Sequence, residues 1–467
     1  MISWVNMHMS RERIYRAVIA ALFLFLIIFR IHNARAYNPY WGYDGGAHLA
    51  YIESVFRDLH LPASLEENYL AWHEPLFYVN YALVGRLIGR IVSPGSDYYQ
   101  TIVKTLQLVS AGMSVLLVYL AYRIAKIMAY SRPAQIAVVA GAGFLSVLSE
   151  TSNYLTNELL VAVLILLSVY LTLEGCIKGF RFGRVVALAL VLSAAFLTKL
   201  SALIAVLSVA LWFMFYWISH RGGYRILWVP FILFTVLMSY APWLVFRQRH
   251  FAPLFNLNPY EARLAEERNL PKHFFLSADL SFLKNPFWTV DARSFWNIVY
   301  ADAFSDYYVI GQRADSETGV AENISATIMT DSGRFVARQR WNQSRLLLAL
   351  SLFPLALWVL GYANLVRLCV RERGLGDREG YLLILITVSF AALAFNVARY
   401  PFLERGTLKA GFILFVWPLL FIAGFGAYEK IVGGREKWWI PVWVLMLGWV
   451  YLSTVVNWIY RGEPLGI

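Results

Sequence analysis

The sequence predicts an all-α polytopic membrane protein, and three observations carry that expectation. Hydrophobic residues make up 59% of the 467 residues and charged residues only 15%, a balance that a soluble chain of this length would not show. Apolar runs long enough to cross about 30 Å of hydrocarbon recur along the chain. The basic residues sit in short clusters between alternate runs, so the formal net charge of +12 reads as membrane topology, and no nucleic-acid partner is expected.

A helix needs about 20 apolar residues to span the hydrocarbon. By that rule about eleven spans are expected, near residues 14–31, 104–122, 135–149, 157–175, 185–198, 200–218, 226–246, 345–366, 380–397, 408–427 and 438–459. Arg11, Arg13 and Arg16 before the first run and Ala34-Arg35-Ala36 after it look like a secretion signal with its cleavage site. The run from Ile14 to Ile31 is nevertheless long enough to span, and Arg30, His32 and Arg35 crowd the cleavage region, so it is read as a retained first helix. The pair at 185–198 and 200–218 is joined only by Thr198-Lys199-Leu200-Ser201, a sharp helical turn.

Orientation follows from the connections. One side carries Arg11, Arg13 and Arg16, then Arg123, Lys126 and Arg132, then Lys178, Arg181 and Arg184, and further clusters at Arg221, Arg367 and Lys430. That side is expected to be cytoplasmic, with the N-terminus on it, in a plasma (inner) membrane. The turn after residue 397 breaks the pattern by carrying Arg399, Arg405 and Lys409 on the outer side. Cys176 and Cys369 lie near expected cytoplasmic helix ends, so neither a disulfide framework nor a thiolate metal site follows.

Two long connections, 32–103 and 247–344, fall on the outer, periplasmic side of what is read as a single integral membrane domain over 1–467. In the first, Ala47 to Leu59 and Pro75 to Ile91 have apolar positions at helical spacing, the pattern of helices lying in the interface. The second is aromatic-rich and broken by Pro253, Pro259, Pro271 and Pro286, which predicts a loop with short helices covering a cleft. Phe295-Trp296, Tyr300, Phe304 and Asp306-Tyr307-Tyr308 cluster there, and Tyr307 is taken as a substrate-cleft candidate. Asn323-Ile-Ser325 and Asn342-Gln-Ser344 are glycosylation sequons only in a host that uses them.

The stretch with most chemical content is Trp41-Gly-Tyr-Asp-Gly-Gly-Ala-His48, directly after the first span, with Asp44 at its centre. Flanking glycines let the backbone turn so that the carboxylate can face a cleft. Some 25 residues later comes His73-Glu74-Pro75-Leu76-Phe77-Tyr78; Thr156-Asn157-Glu158-Leu159-Leu160 opens a later span, and Leu197-Thr198-Lys199-Leu200-Ser201-Ala202 forms the helical turn. In their order and spacing these motifs resemble the outer-face motifs of GT-C glycosyltransferases that use polyprenyl-phosphate sugars, the group of protein O-mannosyltransferases and the aminoarabinose transferase of lipid A. The motifs cover roughly the first 220 residues and topology the remainder.

The resemblance implies a hexosyl or pentosyl transferase taking a polyprenyl-phosphate sugar donor and a lipid, glycan or protein acceptor at the outer face, among membrane lipids. Asp44 matches the family's catalytic aspartate and is the expected general base, and Lys199 matches the family's lysine at the turn. Many members carry a second acid directly after the aspartate, where this chain has Gly45. Glu158, at a helix start that favours an anion, is the first candidate for an assisting carboxylate; Glu74 and Glu53 are weaker ones. A lysine inside an apolar hairpin is costly unless it meets an anion, so Lys199 is assigned to the donor phosphate, together with Arg399, Arg405 and Lys409. His48, His73 and Glu74 are further cleft candidates. No cofactor is required by the sequence; a divalent metal stays open, but two histidines some 25 residues apart are not a ligand motif.

Two other classes compete. A transporter or flippase of lipid-linked glycans would show internal repeats and ionisable residues at the midplane of several spans, and the sequence has neither pattern. An O-antigen polymerase or ligase also pairs many spans with a large outer loop and arginines, but would not need the aspartate loop.

Overall fold

The structure is a computed structural model that describes residues 2–40, 42, 44–92, 98–220, 226–251, 270–283, 286, 294–305, 307, 331–401, 408–433 and 435–459. Trp41, Tyr43, Pro253, Pro259, Asp306, Tyr308, Asn323 and Arg405 lie outside them. Among the described residues the regular structure is helical, with no strand. The helices are α1 (Ile2–Ala36), α2 (Gly45–Asp58), α3 (Leu76–Gly89), α4 (Tyr98–Ile127), α5 (Arg132–Gly143), α6 (Ser146–Thr151), α7 (Asn157–Lys178) and α8 (Phe182–Thr198). They continue as α9 (Leu203–His220), α10 (Trp228–His250), α11 (Phe295–Phe304), α12 (Asp331–Leu368), α13 (Arg378–Arg399), α14 (Val416–Val432) and α15 (Trp439–Val456).

Eight helices of the described chain are long and apolar enough to cross a membrane, namely α1, α4, α7, α9, α10, α12, α13 and α15. The chain is an integral membrane protein of the class the sequence predicts, but the other three expected spans are shorter. Helix α8 has 17 residues. The run 135–149 is two helices, with Leu145 extended between them (φ −67°, ψ 131°). The run 408–427 begins as a 3-10 turn, Ala410–Ile413, before α14. Broken backbone at membrane depth is tolerated where protein satisfies it. At the α5–α6 break Arg30 donates to the Gly143 carbonyl at 2.7 Å and Ser453 donates to the Phe144 carbonyl. Asn457 adds a bond to the Ser146 hydroxyl at 2.9 Å, and Asn33 donates to the Asn457 carbonyl at 2.8 Å. These bonds lock α1, α6 and α15 together and set the height of α6, which faces the cavity described below.

Helix α14 is buried from Val416 through Ala427, as expected of a helix that is apolar all round. It meets α12 where both lack side chains: a Cβ on Gly361 would lie 2.4 Å from the Gly424 nitrogen, so the backbones themselves touch. Helix α12 also reaches back to Asp331, so the end of the expected 247–344 loop is helix continuous with the following span.

The two amphipathic stretches form helices α2 and α3, which pack on each other and on α4 through Tyr51, Val55, Phe77, Tyr81 and Ile102. Leu83, Leu87 and Ile91, part of the apolar stripe read from the sequence, stay exposed. Helix α3 thus has two apolar faces, one closing the protein and one turned outward. Helix α11, a short helix within the expected 247–344 connection, is buried against α6, with the Ser146 hydroxyl donating to the Phe304 carbonyl at 2.7 Å.

Candidate active site

A cavity of about 660 Å³ opens at one end of the bundle, where the connections after α1, α6, α8 and α13 converge with α11. Asp44 enters it from the first of these. Its backbone is left-handed (φ 55°, ψ 15°), which aspartate tolerates better than most residues. Its carbonyl accepts the His48 N–H at 2.9 Å and so starts α2. The tight approach is at Gly42 (φ 98°), where a Cβ would lie 2.6 Å from the Tyr154 ring.

The Asp44 side chain lines the cavity, and the Tyr69 hydroxyl donates to its Oδ1 at 2.7 Å. Burial pushes its pKa up, but Lys409, His48, Tyr69 and Lys199 together outweigh that and hold it below the ordinary aspartate value. Asp44 is therefore a carboxylate at neutral pH.

Two lysines face it, and each is presented by the same local device. Lys199 (φ −162°, ψ 136°) and Lys409 (φ −132°, ψ 136°) are both extended and both directly precede a 3-10 turn, Leu200–Ala202 and Ala410–Ile413. In each case the next residue's N–H is held by a buried carboxylate: Leu200 N–H donates to Glu74 Oε2 at 3.0 Å, and Ala410 N–H to Asp302 Oδ2 at 2.5 Å. Glu74 is in turn bound by the Tyr240 hydroxyl at 3.1 Å and lies 3.9 Å from Arg247. Both ammonium groups lie over the Phe412 ring, at 4.9 and 5.5 Å from its centroid. Lys199 also pairs with Glu158, while burial pulls the Lys409 pKa down against the opposing pull of Asp44 and Glu158. A buried ammonium of this kind gains most from an incoming anion.

His48 and His73 belong to the wall. Tyr78 OH lies 2.9 Å from His48 Nδ1 and 3.2 Å from His73 Nδ1, and its ring stacks on Tyr51 at 3.7 Å. Burial pushes His48 down to about 3 and His73 well below its usual value, so both are neutral. Among the described residues no three His, Cys, Asp or Glu side chains converge as a metal site.

The architecture can now be compared with solved structures. The oligosaccharyltransferase of Archaeoglobus fulgidus, tethered to an acceptor peptide containing the NVT sequon, superposes with a TM-score of 0.51 at 12% identity, over 96% of this chain and 56% of that one. The same enzyme with an inhibitory peptide and a dolichol-phosphate gives 0.50 at 12% identity, over 97% and 57%. The chain has the GT-C membrane fold. It spans just over half the length of those oligosaccharyltransferase chains. A superposition of the GT-C fold on ArnT from Cupriavidus metallidurans is looser, at a TM-score of 0.38 and 13% identity, and decides nothing further. No family model and no curated protein sequence matches the chain.

Within this GT-C fold the cavity gathers Asp44, Glu158, Lys199, Lys409, His48, His73 and Glu74 from positions scattered along the sequence. It does not gather three of the sequence candidates, Glu53 among them, whose carboxylate pairs with Arg57. Arg399, at the end of α13, is exposed and does not line the cavity. Tyr307 is buried and does not line the cavity, and Arg405 lies outside the described residues. Glu74 lines the wall while its carboxylate is committed to Leu200, Tyr240 and Arg247. Sequence reasoning missed Asp302, Tyr69 and Phe412. Asp302 carried a signal, as a lone acid in the apolar run Phe295–Phe304.

Proposed function

We propose that the chain is a glycosyltransferase that moves a sugar from a polyprenyl phosphate to a lipid, glycan or protein acceptor at the outer face of the membrane. The observation that carries this reading is one cavity holding an ionised aspartate opposite two lysines on matching turns, one buried and one half-buried. The alternation of basic connections supports an N-terminus in the cytoplasm and a cavity at the outer leaflet of a plasma membrane. The cavity's shape suits an amphiphile: beyond its charged end it is walled by Leu203, Leu207 and Phe395, all partly exposed at the bundle surface. The A. fulgidus oligosaccharyltransferase, whose fold this chain shares, binds dolichol-phosphate, in keeping with a lipid phosphate here.

In the reaction, an acceptor O–H or N–H places its lone pair on carbon 1 of the sugar as the bond from carbon 1 to the phosphate oxygen breaks. The electron pair of that bond leaves on the polyprenyl phosphate, whose negative charge Lys199 and Lys409 neutralise. The acceptor's proton passes to Asp44. While Lys409 and Lys199 face it, Asp44 is held ionised but weakly basic. A donor phosphate competes for the same two ammoniums, so donor binding restores the basicity that proton removal needs. Glu158 holds Lys199 in place, and Tyr69 orients Asp44.

The test is release of free undecaprenyl phosphate from a panel of undecaprenyl-phosphate sugars by purified protein, with Asp44→Asn as control. Release from at least one donor, reduced about a hundredfold or more in Asp44→Asn, is expected. Equal release by the folded variant would remove Asp44 from the reaction, and no release from any donor would turn the reading toward transport.

A further inference from the structure

The first turn of α7 forms the cavity wall beside Lys199, and it offers hydrogen-bond acceptors without donors. Asn157 is fully buried, and its amide nitrogen is committed twice, 3.4 Å from His73 Nδ1 and 3.5 Å from the Thr198 carbonyl. Its Oδ1 has no hydrogen-bond partner among the described residues. The neighbouring Glu158 is 8% exposed; Lys199 takes its Oε1, while Oε2 has no hydrogen-bond partner among the described residues either. Both residues line the cavity. A buried oxygen left without a donor costs stability, so two adjacent ones on a cavity wall call for a ligand that brings donors.

We propose that Asn157 Oδ1 and Glu158 Oε2 form the subsite that recognises the vicinal hydroxyls on carbons 2 and 3 of the transferred sugar, Glu158 taking the hydroxyl on carbon 2. The inference rests on the glycosyltransferase reading and adds the sugar's contacts to it. Connectivity makes the assignment. The phosphate oxygen is attached to carbon 1, so when Lys199 holds the phosphate, the sugar atoms closest to its partner Glu158 are the ring oxygen and the substituent on carbon 2. The ring oxygen is itself an acceptor and has nothing to give to a carboxylate. The hydroxyl on carbon 2 donates, and it becomes a stronger donor as carbon 1 gains positive charge in the transition state. Glu158 thus steadies the lysine through one oxygen and the reacting sugar through the other, so its contribution appears mainly in turnover.

The experiment uses the full-length protein and three probes: bare undecaprenyl phosphate, the same lipid bearing glucose, mannose, galactose or arabinose, and a 2-deoxy version of the preferred sugar. Binding is followed by calorimetry and turnover by release of undecaprenyl phosphate. In the wild type the sugar should tighten binding about tenfold or more over the bare lipid, as a few matched hydrogen bonds do. Asn157→Leu and Glu158→Gln should reduce that ratio below about threefold, and Glu158→Gln should lower kcat more than it raises KM. The wild type should discriminate against the 2-deoxy donor, and Glu158→Gln should not. A ratio and a 2-deoxy discrimination unchanged in folded Glu158→Gln would overturn the proposal, even if Asn157→Leu fails to fold. Failure of the wild type to bind the bare lipid would instead strike at the glycosyltransferase reading.

Discussion

Asp302→Leu should disable Lys409 through the backbone behind it. The Asp302 carboxylate is 2% exposed and accepts the Ala410 N–H at 2.5 Å, fixing the backbone directly after the lysine. A hydrogen bond to a buried charged acceptor is worth about 1.5 to 3 kcal/mol, and leucine would also leave the N–H of fully buried Ala410 without a partner. If that free energy holds the extended turn against other conformations, about 1.4 kcal/mol per factor of ten converts it to a fall of about ten- to a hundredfold in kcat/KM. Asp302→Asn keeps an acceptor oxygen and loses the charge, so a smaller fall, of about three- to tenfold, is expected. Steady-state release of undecaprenyl phosphate gives the rates, and gel filtration with circular dichroism establishes that both variants are folded. Folded Asp302→Leu with kcat/KM within about twofold of wild type would refute the claim that this carboxylate positions the lysine.

Four further expectations follow from the same geometry. Because the folded-state pKa of Asp44 is lowered, the stability it contributes is present above the unfolded value near 3.9 and is lost as pH falls through the folded one. The acid limb of kcat/KM, which reports the free enzyme, should therefore lie below the ordinary aspartate range. His48, pushed down to about 3, should add no inflection near pH 6.5, and a limb there that vanishes in His48→Gln would contradict its burial. Lys409→Met should weaken donor use by about tenfold or more and move the Asp44 limb upward, since Lys409 is the largest influence holding that pKa down; an unmoved limb would break the coupling. Gly42→Ala should lower the thermal midpoint in detergent and reduce turnover, because it combines a left-handed backbone with a Cβ 2.6 Å from Tyr154, and wild-type values of both would disprove the close approach.

The parts of this protein legible in its sequence were those whose physics is local. Apolar length marked the long spans, and helical spacing marked α2 and α3. Lys199 and Lys409 stood out because a cation in an apolar turn, or on the wrong side of a topology count, needs a reason. The reason was a shared cavity, although the same anomaly also nominated Arg399, which does not reach it. What could not be read depends on partners far away in the chain. Asp302 stands out as a lone acid in an apolar run, but it earns its place through the backbone of a residue 108 positions later, and nothing local names that partner. The α5–α6 break lies inside an uninterrupted apolar run, and it survives because Arg30 and Ser453 arrive from other helices to satisfy its carbonyls. Tyr69 looked like any aromatic in a loop until the fold set its hydroxyl on Asp44.

The twin lysine turns also bear on how the protein is made. Asp44, Glu158 and Lys199 emerge from the ribosome early, whereas Lys409 and the 3-10 turn behind it come after most of the helices have been inserted. Until then the first lysine has its carboxylate partner, but the second cation and the Phe412 ring that both contact are missing. On the proposed chemistry, a chain still being synthesised could not cleave a donor from the lipid pool. The order of the segments along the polypeptide would then serve as a timer, withholding activity until the bundle is closed.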